Sequence, residues 1–363
     1  MPFCSRRCSY CDFSIAVRRE VPVDEYLHAL DAELRTRFGA LPPGEVDTIY
    51  FGGGTPSRLG GGGLARALAI VEQHFPRAAG AEITAEANPE DVTPEAAEQW
   101  RAAGIERLSL GSQTFDDRAL AWMHRTHDSA AIERAVTSAR RAGIVNLSLD
   151  LIFALPAALE RDFERDVHRL LELRPDHVSL YGLTIESGTP LGRWVARGAA
   201  VEQPEEGYEQ DFLAADRLLT AAGFDHYEVS NYGKPGRHSR HNSAYWSGAP
   251  YVGVGPAAHG FDGDSRRWNA RGYAAWRDLA AAGTDPLEDA ERLTATNREA
   301  EEVYLGLRSS GGLPMRAGDL SLAQPWIDAG WIVRGPDDRL RCTPHGWLRL
   351  DALAAALTHH RSR

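Results

Sequence analysis

Val46-Asp47-Thr48-Ile49-Tyr50-Phe51-Gly52-Gly53-Gly54-Thr55-Pro56 runs from an apolar, β-branched segment straight into a glycine-rich turn. Asp47–Phe51 therefore reads as a strand with the turn at its carboxyl end. The same unit returns downstream, with strands predicted at Glu82–Ala87, Arg107–Leu110, Leu147–Phe153, His177–Leu183 and His226–Val229. The segments between them have helical periodicity and marked ends. Thr93-Pro94-Glu95 supplies an N-cap and a proline at the first helical position, Gly104 a stop, and Asp128 and Gly143 bracket the next long helix. Strands alternating with helices mean a parallel sheet wrapped by helices, and about five such units point to a full or partial (β/α) barrel, with a doubly wound sheet as the alternative. Gly60–Gly63 reads as a flexible linker into a helix that begins at Leu64.

The rest of the chain bounds the function. Its 363 residues carry 40 Lys+Arg against 51 Asp+Glu, a formal net charge of −11. No basic stripe is visible, which argues against a nucleic-acid partner. A hydrophobic share of 43% and a charged share of 25% are those of an ordinary globular protein with ample core. The apolar runs stop well short of the ~20 residues of a spanning helix, so no transmembrane segment is expected. Met1-Pro2-Phe3-Cys4 does not read as a signal peptide, and the expected location is cytoplasmic.

Barrels of this kind place their chemistry at the carboxyl ends of the strands. Gly52-Gly53-Gly54-Thr55-Pro56, Glu86-Ala87-Asn88-Pro89 and Gly111-Ser112-Gln113 follow three successive strands there, and Asp150 lies in the fourth. Each alone has a local explanation in a tight turn or a helix cap. Their coincidence at successive strand ends favours a site.

Three of the four cysteines, Cys4, Cys8 and Cys11, have C-x3-C-x2-C spacing, while Cys342 stands alone. In a reducing compartment such clustering speaks for a metal site rather than disulfides. Three thiolates hold three corners of a [4Fe–4S] cluster and leave one iron open to a small molecule. A structural zinc would need a fourth ligand, from Cys342 or one of the 13 histidines.

With Tyr10 before the last cysteine and the glycine turn after the next strand, Cys4-Ser5-Arg6-Arg7-Cys8-Ser9-Tyr10-Cys11 resembles the radical S-adenosylmethionine (SAM) superfamily. Pro2-Phe3-Cys4 through Asp12-Phe13, Glu86–Glu90, Leu110–Gln113 and Asp150-Leu151-Ile152 are similar to the group around oxygen-independent coproporphyrinogen III oxidase. The resemblance implies a partial (β/α)6 TIM-like barrel. It assigns Cys4, Cys8 and Cys11 to the cluster, and Tyr10, Gly53, Gly54, Thr55, Glu86, Gln113, Arg125 and Asp150 to SAM. The carboxylates would face the sulfonium or the ribose hydroxyls, and Arg125 would hold a carboxylate; the other reading of Arg125 is a surface ion pair. Missing side chains at Gly53 and Gly54 would let backbone approach the ligand.

Two members of this group differ in kind: the oxidase is a decarboxylating radical enzyme, whereas the HemW type is a haem chaperone. The oxidase has a further cysteine two positions beyond the third, and here that position is Phe13. The HemW type has His-Asn-x-x-Tyr-Trp, matched by His241-Asn242-Ser243-Ala244-Tyr245-Trp246 and extended by Tyr251, Gly253, Gly255, His259 and Gly260. A neutral imidazole is a good iron ligand, and the Tyr245 and Trp246 rings suit a flat macrocycle. The residues alone leave open a plain reading, with Asn242 turning the chain and the two rings filling a core. His259 is a second candidate ligand, or else part of a turn.

The resemblance therefore implies a haem chaperone that binds haem, one [4Fe–4S] cluster and SAM and passes haem to acceptor proteins such as respiratory enzymes. It would act as a monomer or a haem-dependent dimer, with SAM cleavage but no coproporphyrinogen oxidation. The expected organisation is a radical SAM core over 1–230, a connecting region with the haem motif over 231–285 and a small helical, winged-helix-like domain over 286–363. Family members usually carry a strand just ahead of the Pro-Phe-Cys loop. Here only three residues precede Cys4, so the first barrel strand is expected to be missing, and Ala154-Leu155-Pro156 replaces the usual Gly-Leu-Pro.

Overall fold

The computed structural model describes residues 1–40 and 44–362; Arg363, the last residue of the expected C-terminal domain, lies outside them. Two short parallel strands, β1 (Phe3–Cys4) and β2 (Ala16–Val17), bracket the cysteine loop. The central sheet follows with β3 (Val46–Phe51), β4 (Arg77–Ala87), β5 (Arg107–Gln113), β6 (Asn146–Phe153) and β7 (His177–Gly182), parallel and in sequence order. It closes with β8 (Asp225–Glu228) and β9 (Asn231–Gly233), in the order β7-β9-β8. The sheet is that of the expected partial barrel, with a finer point at its end. Only Val229 and Ser230 separate β8 from β9, too short for a crossover helix, so the pair forms an antiparallel hairpin.

The strands sort their side chains by the two-residue period of the pleat. Ile49, Phe51, Ile83, Ala85, Leu108, Leu110, Leu147, Leu149, Val178 and Leu180 are buried in the main apolar core. Their sequence neighbours form a polar set in lateral register: Thr48 beside Glu82, Tyr50 beside Thr84, Thr84 beside Arg107, Glu86 beside Ser109, Ser148 beside His177, and Asp150 beside Ser179. One face of the sheet is thus oily and the lumen face is polar.

The helix ends follow the sequence. Thr93 and Asp128 accept from Ala96 and Ala131 as N-caps, and Gly104 stops its helix in the left-handed region at φ 104°. Gly60–Gly63 departs from expectation: the helix runs over Gly60–His74, so the run is its first turn rather than a linker. Helix packing explains the residues. A Cβ at Gly61 would strike Gln99, and one at Gly63 would lie 3.0 Å from Leu59.

Beyond the barrel, β10 (His259–Phe261), β11 (Ser265–Asn269) and β12 (Leu287–Arg292) form an antiparallel sheet. It is tied to the first long helix, Val23–Phe38, through Glu33. That fully buried carboxylate accepts from Arg37 at 2.6 Å, Asn269 at 2.6 Å, Trp276 Nε1 at 2.7 Å and the Gly255 amide at 2.9 Å. Strands β13 (Leu313–Pro314), β14 (Ile332–Arg334) and β15 (Arg339–Cys342) sit among the helices Ala295–Arg308, Asp319–Asp328 and Leu350–Arg361. The turn between β14 and β15 spans Gly335–Asp338. This part covers the β8 edge: Val229 donates to Arg308 O and Ser310 to Tyr227 O. At the other end of the sheet, β3 has no strand beyond it among the described residues.

Candidate functional site

A cavity of about 490 Å³ opens at the carboxyl ends of β3–β7, within the range of small-ligand pockets. Cys4, Cys8 and Cys11 line one side; Tyr10, Gly53, Gly54, Thr55, Glu86, Gln113, Arg125 and Asp150 line the rest. Every residue expected for the cluster and for SAM is therefore brought to one cavity.

The cysteine loop is held against the glycine turn. Gly54 N donates to Met1 O at 2.7 Å, and Thr55 Oγ1 lies 3.3 Å from Cys4 Sγ. A Cβ at Gly54 would stand 2.9 Å from the carbonyl of Pro2 and 3.1 Å from that of Phe3. The glycines thus admit the backbone leading to the cysteines, a different approach from the one expected toward ligand. All three thiols are free and half-buried, and burial pushes those of Cys4 and Cys11 up. Arg125 is no surface ion pair. Enclosed in the site, it donates to Asn88 Oδ1 at 2.7 Å, to Gly111 O at 2.9 Å and to Cys8 Sγ at 3.5 Å.

Among the described residues no three side chains converge as ligands of a single ion. A four-iron cube sets its cysteine sulfurs further apart, so the donor set suits a cluster: three thiols round one cavity, a guanidinium beside one of them, and the open side facing the pocket. Cys342 is buried in β15, outside the site, with its thiol raised to about 12 by burial.

Two carboxyls face the pocket. Glu86 accepts from Tyr50 Oη at 2.8 Å and from Gly53 N at 3.0 Å; burial raises it to about 7 against these bonds, and Asp150 adds to the rise. Asp150 accepts from Ser109 at 2.9 Å, and burial raises it to about 6. Two acids poised near neutrality at a strand-end cavity fit a cationic ligand, whose charge would draw off their protons.

A second, larger groove of about 1860 Å³ runs beside the β3 edge and shares Phe13, Gly53 and Gly54 with the pocket. His241 and Tyr245 line it, from the short helix Arg240–Trp246 capped by Ser239. The His241 ring is held on three sides. Nδ1 lies 2.8 Å from Thr48 Oγ1, Nε2 lies 2.9 Å from Tyr245 Oη, and the ring stacks on Tyr50 at 4.9 Å between centroids and 18° between planes. Burial, with the nearby charge of Arg107, lowers its pKa to about 4 and keeps the imidazole neutral.

Trp246 makes no contact with His241 among those described, and its ring lies 6.3 Å from that of Tyr245 at 59°. Its ring lies under the Arg308 guanidinium at 4.2 Å. His241 and Tyr245, four residues apart, share a helix face, and Trp246 is turned about 100° from Tyr245. His259 lines the same groove from the exposed end of β10, stacked on Trp268, and its carbonyl lies where a Cβ at Gly253 would fall, so that glycine serves a close backbone approach. Tyr50 and Thr48 were absent from the expected site. The alternation of β3 would have found them, since both share the lumen face with Gly52.

The radical SAM superfamily matches residues 1–170. The heme chaperone HemW of Mycobacterium tuberculosis is 39% identical over 98% of this chain and 93% of its own. HemW of Bacillus subtilis is 34% identical over 86% of this chain and 83% of its own; that of Escherichia coli is 38% identical over 72% and 68%. The solved structure of coproporphyrinogen III oxidase HemN from Escherichia coli superposes with a TM-score of 0.82 over 99% of this chain and 89% of its own, at 21% identity, a likeness of fold. The cysteine pocket, the polar lumen and relatives matched over nearly the whole length converge on one assignment: the chain belongs to the HemW family of radical SAM proteins.

Proposed function

We propose that this protein is a haem chaperone of the HemW type, which binds haem, one [4Fe–4S] cluster and SAM and passes haem to acceptor proteins. The observation that carries the reading is the neutral His241 imidazole on the wall of a groove that adjoins the cysteine pocket. Cys4, Cys8 and Cys11 would hold the cluster, and SAM would lie over Glu86 and Asp150. When bound, the cluster supplies an open iron site for the amino and carboxylate groups of SAM, and haem supplies an iron that an imidazole can ligate.

The chain's own residues set the terms. Arg125 offsets thiolate charge at Cys8, and Glu86 and Asp150 take up charge when a cation arrives. His241 offers a nitrogen that is already unprotonated at neutral pH, provided Tyr245 gives way at Nε2. No helix among the described residues is long and apolar enough to cross a membrane. Phe13, 60% exposed and lining both cavities, stands where the oxidase has a cysteine, which favours the chaperone over coproporphyrinogen oxidation.

Anaerobic reconstitution tests this. Iron and sulfide should fall with Cys8→Ala and stay unchanged with Cys342→Ala, and reconstituted protein with SAM and reductant should leave coproporphyrinogen III unconverted. Decarboxylation of that substrate would establish the enzyme reading instead.

A further inference from the structure

The Tyr50 side chain lines the groove and reaches Glu86 of the strand-end pocket. The Tyr50 ring stacks on His241, and its hydroxyl donates to Glu86 Oε1 at 2.8 Å. The other Glu86 oxygen holds the Gly53 amide of the glycine turn at 3.0 Å. A continuous path of contacts therefore runs from the turn above the cysteine loop, through Glu86 and Tyr50, to the imidazole in the groove. Thr48, two residues back on the same face of β3, fixes Nδ1 of the same ring at 2.8 Å. Two successive lumen-facing residues of one strand thus grip His241.

We propose that Tyr50 is a positioning residue that couples the two sites, so that SAM bound at the strand-end pocket tightens haem binding at His241. The inference rests on the proposed function and adds the link between its two ligands. A cation over Glu86 favours the carboxylate, and a carboxylate is a stronger acceptor for the Tyr50 hydroxyl than a carboxylic acid. The charge-assisted bond fixes the phenol ring. The stacked imidazole is then ordered before iron arrives, and ordering a ligand in advance lowers the cost of binding. By linkage, haem must tighten SAM binding by the same factor.

Tyr50→Phe keeps the ring that stacks on His241 and removes only the hydroxyl. The readout is the ratio of haem dissociation constants with and without saturating SAM, measured by absorbance titration of the reconstituted protein, so any effect of the substitution on haem affinity alone cancels. The wild type should show haem binding about fivefold or more tighter with SAM, and Tyr50→Phe a ratio near one. SAM titrations with and without haem should return the same factor. A ratio of one or below in the wild type, or an unchanged ratio in Tyr50→Phe, overturns the coupling. A parallel His241→Ala titration separates the two claims. If that variant takes up haem as the wild type does, the haem reading of His241 fails; if it does not and the Tyr50→Phe ratio persists, only the link fails.

Discussion

At the scale of single residues, burial turns ordinary side chains into responsive ones. Glu86 near 7 and Asp150 near 6 are partly protonated at neutral pH, and both are raised first by burial. A cationic ligand binds the ionised forms, so affinity rises with pH as these acids lose their protons and falls below them. SAM should bind about tenfold more weakly at pH 6 than at pH 8, and Glu86→Gln should flatten the profile while weakening binding; titration calorimetry across that range checks both. The Tyr245 hydroxyl occupies Nε2 of His241. Removing one hydrogen bond of about 1 kcal/mol should let Tyr245→Phe bind haem about fivefold more tightly. Weaker haem binding by that variant would mean the hydroxyl supports the complex. The cysteines, Glu86, Asp150 and His241 were readable as candidates from spacing and motif, and the fold sets the first five at one cavity and His241 on the adjoining groove. Tyr50 was not: within an apolar strand a tyrosine looks like core until the two faces are separated. Trp246 packs under the Arg308 guanidinium, because consecutive residues of a helix point about 100° apart.

At the scale of elements, strand positions and caps were legible because they rest on local rules, which Thr93, Gly104 and Asp128 all obey. Two features were not local. The β8–β9 hairpin depends on which edge a short strand meets, and the helical start at Gly60 depends on Gln99 and Leu59 approaching from elsewhere. A glycine run signals flexibility to a reader of sequence and close packing to the fold. The turn after β3 works in the same way. Gly54→Ala would force a Cβ into the carbonyls of Pro2 and Phe3, which as backbone cannot swing aside. The expected cost is about 1–3 kcal/mol, together with reduced iron and sulfide after reconstitution. Unchanged cluster content and unchanged thermal stability would show that the loop does not depend on that approach.

For the whole molecule, buried polar groups tie the first long helix to the region after the barrel. Glu33 is the clearest tie, a carboxylate with one donor from its own helix and three from beyond the barrel. Glu33→Ala would leave the buried Arg37 without its carboxylate, with only the Gly253 carbonyl to accept from it, and should cost about 3–5 kcal/mol in denaturant unfolding; a loss below about 1 kcal/mol would show that these segments hold together without it.

Haem carriage through His241 is open to direct measurement. Its most direct test is delivery of haem to an apo-acceptor by anaerobically reconstituted protein, wild type against His241→Ala, at matched iron and sulfide content. The wild type should load haem stoichiometrically and transfer it, and the variant should show an altered haem spectrum and impaired transfer. Equal transfer by both would contradict that role of His241.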